Sequence, residues 1–156
     1  MADKNAIEKL LWSIALPGFG QLLNGKYVKG IVFIFLEYLV NIQGNLNVAI
    51  LLSFHGEIEQ AIHQVDYQWV MFYPCLYFYS MWDAYKDAGG GKLPFAFLPF
   101  VFSAYFMTVG IIYSSKLTLF GMLLGPIWLP ILSVIPALLV GFLLQRIMRK
   151  IDRLVA

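Results

Sequence analysis

The stretch LFGMLLGPIWLPILSVIPALLVGFLLQ, residues 119–145, carries no charge and runs straight into the basic segment RIMRKIDRLVA, residues 146–156. About 20 consecutive apolar residues cross a bilayer, so this stretch is longer than one span requires. Pro126, Pro130 and Pro136 imply a kink or an irregular first part before a final helix. The rest of the chain follows the same logic. It is 60% hydrophobic and only 13% charged, against about 45–50% and 25% in ordinary soluble domains. A soluble fold of this length cannot hide so much apolar surface, whereas lipid accepts it. The length suits one bundle, read as a single membrane domain over 1–156.

Three further spans are expected at 30–54, 68–85 and 93–115. The fold class is therefore all-α, a polytopic helical membrane protein with four transmembrane helices. Residues 7–23 are too short, and too interrupted by Pro17, Gly18 and Gly20, for a straight span. They are expected to form a re-entrant or interfacial helix at the cytoplasmic leaflet, with a full crossing as the alternative. Residues 55–67 carry Glu57, Glu59 and Asp66 with apolar residues at helical spacing, and are expected to lie on the outer membrane surface. No small-x-small cleavage site follows the first apolar stretch, so the N-terminus is expected to be retained.

Charge sets the orientation. With residues 146–156 as a cytoplasmic basic tail and four alternating spans, every Lys and Arg except Lys116 falls inside, as the positive-inside rule demands. The net charge of +2 is too small to suggest nucleic acid.

Pro17-Gly18-Phe19-Gly20-Gln21, then Asn24-Gly25, then Lys29-Gly30, resembles the Pro-Gly-x-Gly-Gln…Asn-Gly…Lys-Gly signature of small bacterial TM2-like membrane proteins. It is similar also to the opening segment of some Gram-positive sugar ABC-transporter permeases. The likeness covers about residues 12–36 and implies a bacterial inner (cell) membrane protein without a defined activity. On physical grounds the glycines let backbone approach backbone, Gln21 and Asn24 are placed to satisfy carbonyls freed by Pro17 and the turn, and Lys26 and Lys29 suit an anionic leaflet. A structural hairpin is the plain reading and a substrate site the alternative.

Glu37 is the only charge within 30–54, and a carboxyl at membrane depth needs a partner or a polar cavity. Asn41 and Asn45 follow it at i+4 and i+8. Tyr73, Tyr77 and Ser80 make a second polar stripe on the next span, and the two stripes are expected to face each other. Together they read either as hydrogen-bonding glue between helices or as a polar cavity for a proton, an ion or a lipid headgroup.

Other constellations are weaker. His55, Glu59 and His63 are spaced i, i+4, i+8, and adjacent members could share a metal, but a solvated helix face is the plainer reading. Gly121 and Gly125 make a G-x-x-x-G pattern suited to helix packing. Cys75, the single cysteine, reads as a buried thiol. Gly89-Gly90-Gly91-Lys92 lacks the spacing of a phosphate loop. With no converging catalytic set, the expected role is non-enzymatic and needs no cofactor: a small accessory or scaffold subunit binding membrane lipid, another membrane protein or itself. The alternative is a small transporter or channel around Glu37.

Overall fold

The computed structural model describes residues 4–155. Residues 1–3 and 156, the ends of the single domain expected from the sequence, lie outside the described residues. The fold is all-α apart from one small hairpin. In chain order it contains α1 (Lys4–Ala15), α2 (Phe19–Leu23), α3 (Tyr27–Gln43), α4 (Leu46–Phe54), α5 (Ile58–Gln64), α6 (Tyr67–Val70), α7 (Tyr73–Asp87), α8 (Leu98–Tyr113), strands β1 (Thr118–Leu119) and β2 (Met122–Leu123), and α9 (Gly125–Val155).

Among the described residues one helix alone is long and apolar enough to cross a membrane. It is α9 over Gly125–Leu154, with a mean hydropathy of 2.4 in a window only 28% buried. The expected uniform span at 30–54 is instead the pair α3–α4, bent by 65°. The polar residues in its middle explain the bend. Asn45 adopts the left-handed conformation at φ 52°, which Asn tolerates better than most residues. Asn45 Nδ2 donates to the Gln64 carbonyl (3.1 Å), and Asn41 Nδ2 donates to Asn47 Oδ1 (3.0 Å). The Gly44 carbonyl accepts from Asp66 N–H (3.3 Å), so the broken turn is tied to the chain beyond α5.

Residues 7–23 are likewise not one helix. After Pro17 the chain passes through Gly18 at φ 104°, and α2 folds back against α1. The span expected at 68–85 is shared between α6 and α7, and that at 93–115 contracts to α8 behind a turn at Phe95. At 15 and 16 residues and 1.5 Å per residue, α7 and α8 fall short of a hydrocarbon core of about 30 Å. The irregularity expected early in 119–145 is confined to the β1–β2 hairpin, where Phe120 and Gly121 both have positive φ, as a type I′ turn requires. Helix α9 then continues through Pro130, Pro136 and the basic tail. The Ser133 hydroxyl lies within hydrogen-bonding distance of the Pro130 carbonyl (2.6 Å) and the Phe106 carbonyl (3.0 Å). The bond to Phe106 ties α9 to α8.

The amphipathic helix expected at 55–67 exists as α5, but protein covers its apolar face. Ala61 and Val65 join Leu46, Ala49, Val70, Ile111 and Ile127 in one buried cluster.

Helices α8 and α9 make the most extensive helix pair. They run antiparallel, with Gly110 against Pro130 and Gly141 against Pro99; a Cβ on either glycine would lie within 2.8 Å or 2.6 Å of the facing proline Cα. The Gly121–Gly125 pattern is not a helix face. Gly121 sits in open space in the hairpin turn, and Gly125 opens α9 against Ile58. The glycine that packs helices is found opposite proline instead. Gly110→Leu and Gly141→Leu should each overpack this seam and destabilise the fold by about 1–3 kcal/mol, read as a lower unfolding midpoint in detergent; Gly121→Ala meets no neighbour but must hold a positive φ of 79°, and should cost about 1–2 kcal/mol by backbone strain alone.

Candidate functional site

The glycine-rich motif forms a clamp on the C-terminal half of α7. Gly18 lies so close to Gly30 that a Cβ on it would approach the Gly30 carbonyl to 2.5 Å, which draws α2 and the start of α3 together. Gly18 N–H donates to Ser80 Oγ (3.2 Å). Gln21 is fully buried, and its Nε2 donates to the Ser80 carbonyl (2.8 Å) and to Asp83 Oδ2 (3.1 Å), while Ser80 Oγ donates to Gln21 Oε1 (3.4 Å). Asn24 Nδ2 donates to the Ala84 carbonyl (2.8 Å). Lys29 Nζ closes the set on Asp83 (2.7 Å) and Asp87 (3.0 Å). Gly20 packs against Lys9, Ser13 and Ala84, and Gly25 turns the chain at φ 72° in open space.

The amides of Gln21 and Asn24 therefore serve α7 carbonyls, not those freed by Pro17 and the turn. Local spacing named the residues; their partners lie about 60 residues away and only folding could supply them.

The two expected polar stripes meet only in part. Glu37 is buried, and Tyr73 and Tyr77 stand close by. Glu37 Oε2 has no hydrogen-bond partner among the described residues. Tyr77 Oη donates to the Ile14 carbonyl at the end of α1 (2.7 Å), and the Tyr73 and Tyr77 rings stack with centroids 5.5 Å apart. Asn45 leaves this corner because the helix breaks after Gln43, and its side chain holds the bend; Asn41 stays on α3 and is engaged by Asn47. Ser80 belongs to the clamp.

His55, Glu59 and His63 do not share a helix. His55 caps α4 beyond its last turn, and Glu59 and His63 are exposed on α5. No group of three potential metal ligands converges among the described residues. Cys75, expected to be buried, is exposed, because α7 turns that face away from its neighbours.

A further feature is one that the stripes do not announce. A cavity of about 920 Å³ is walled mainly by α1, α7, α8 and α9, with Leu46 and Ile50 of α4, Val70 of α6 and the loop before α8 completing it. Its walls are apolar nearly throughout, and it is open to the protein surface. Tyr73 and Tyr77 border it towards the Glu37 corner, and Lys92 and Gln145 border it at the opposite end. Ser103 also lines it, fully buried, with Oγ unpartnered among the described residues. A buried hydroxyl left unpaired costs about 1–3 kcal/mol. The sequence does hold a signal for this cavity: Ile131, Val134, Ile135, Leu138, Phe142 and Gln145 fall on one face of α9 at helical spacing.

For the clamp, Gln21→Leu should strand Ser80 and Asp83 and destabilise the fold by about 1–3 kcal/mol, whereas Lys29→Ala, which breaks half-exposed ion pairs, should cost about 1 kcal/mol or less. Denaturation in detergent checks both, and a larger loss from Lys29→Ala than from Gln21→Leu would show that charge holds the clamp.

No family model, curated protein or solved structure matches this chain.

Proposed function

We propose that this chain is a multi-pass protein of the bacterial inner membrane, C-terminus cytoplasmic, acting without catalysis as a small accessory or scaffold protein that takes a lipid into its apolar cavity. The observation that carries the reading is the cavity itself: about 920 Å³, apolar, open to the outside, and lined by residues from six helices. Ligand pockets are concave and mostly apolar, with a few placed polar groups, and Ser103, Tyr73, Tyr77 and Lys92 are such groups here. A lipid or a partner's apolar segment suits an open apolar cavity better than a soluble substrate does.

Membrane residence is supported by the large side chains left bare, among them Val28 (79% exposed), Phe72 (67%) and Leu139 (70%). In this reading the bent pair α3–α4, the segment α6–α7, α8 and α9 make four passes. The Lys29 ion pairs join the start of α3 to the end of α7, consistent with α3 and α7 running in opposite directions. The clustering of Lys and Arg at one side supports the orientation, and the Pro17–Gly30 resemblance supports the bacterial membrane.

One observation favours a second reading. Glu37 Oε2 is buried without a partner, as a proton- or ion-carrying carboxylate would be. In liposomes, equal and negligible proton flux through the parent and Glu37→Gln removes the transporter reading, while flux lost in Glu37→Gln supports it over the accessory role.

The lipid reading is tested by native mass analysis of protein taken from its own membrane in mild detergent. We expect a stoichiometric lipid that is lost in Ser103→Phe and Ala96→Trp, both of which fill the cavity. A lipid-free parent, or retention unchanged by both fillings, overturns it.

A further inference from the structure

The cavity is not symmetric along its length. At the Tyr73 end its polar groups are hydroxyls. At the other end they are Lys92 and Gln145, and Lys92 is the only charged residue in the whole lining. The lining stripe of α9 continues past Gln145 in the same register. Arg149 lies 18 residues after Ile131, five full turns at 3.6 residues per turn, and so on the same side of the helix. Arg146 and Arg153 flank that line at i−3 and i+4. Arg146, Arg149, Lys150 and Arg153 together form one basic patch on the surface of α9. One face of one helix thus passes from cavity wall to basic patch.

The charges near that end do not cancel. Asp152 is the one acidic residue after Gln145. Asp83 and Asp87, nearby in sequence to Lys92, are engaged by Lys29. Hydrocarbon chains cannot supply selectivity here, because lipid tails are as apolar as the leucines that would replace them. A preference among lipids has to come from the headgroup.

We infer that the cavity selects an anionic glycerophospholipid of the cytoplasmic leaflet, its phosphate held by Lys92 and the Arg146–Arg153 face and an acyl chain lying against α8 and α9. This rests on the lipid reading above and adds the headgroup class. Juxtamembrane basic residues attract anionic lipid, and here they stand at the end of a cavity rather than on an open surface.

The test uses delipidated full-length protein and three lipids with the same acyl chains: phosphatidylglycerol, phosphatidylcholine and diacylglycerol, with retention read by native mass analysis. Phosphatidylglycerol should be retained at least about fivefold better than phosphatidylcholine, the factor that one basic residue near the surface supplies. Lys92→Gln combined with Arg149→Gln should bring that ratio towards one without changing phosphatidylcholine retention, and Lys92→Arg should preserve it. Equal retention of phosphatidylglycerol and phosphatidylcholine by the parent overturns the headgroup inference and leaves the lipid cavity standing. Retention of none of the three lipids overturns both. Displacement of phosphatidylglycerol by millimolar soluble glycerol phosphate overturns the assignment to a lipid.

Discussion

Each break in a helix leaves amides and carbonyls without their usual partners, and this bundle depends on how it supplies them. The break after Ala15 is closed by Gly18 N–H on Ser80 Oγ, and Gln21 and Asn24 then bond the carbonyls of α7. The break after Gln43 is closed by Asp66 N–H on the Gly44 carbonyl and by the Asn45 side chain on Gln64. Where hydrocarbon surrounds the protein, no water can substitute for these bonds. They are also long-range: each ties one broken helix to a segment that follows it in the chain, so the same bonds that permit the breaks position the helices.

Two kinds of close packing follow. At the clamp, glycine meets glycine, with Gly18 against Gly30, and the short distance lets a buried amide reach α7. Along α8 and α9, glycine meets proline at both ends of the antiparallel pair. The proline rings and the missing side chains fit together, and α9 stays continuous through Pro130 and Pro136. Between these two tightly packed regions the helices diverge, and the cavity occupies the space left between them. Among its polar groups, Tyr73 and Tyr77 stand towards the Glu37 corner and Lys92 and Gln145 at the other end. The polar corner and the basic end are therefore separate features of one bundle, and a ligand at one does not require the other.

Much of the clamp was legible because Pro17, Gly18, Gly20, Gln21 and Asn24 are chemically distinctive and close in sequence. Their partners were not legible, since nothing local marks Ser80 or Ala84 as acceptors. The Glu37 stripe failed for a definite reason. Spacing at i, i+4 and i+8 keeps residues on one face only while the helix continues; Gly44 and Asn45 end it, which removes Asn45, while Asn41, still on α3, is engaged by Asn47. The same argument separates His55 from Glu59 and His63, which Gly56 and Glu57 divide.

By itself the sequence determined that the chain is helical, that its apolar runs exceed what a small soluble fold can bury, and that its cationic residues gather towards one side of an assumed set of spans. These follow from composition and period, which are properties of the residues wherever they lie. Only the tertiary structure decided where the helices break, which carbonyls the clamp amides serve, and that the helices leave a cavity among them. Those outcomes depend on contacts between residues tens of positions apart, and a cavity is a property of the space between elements rather than of any one element.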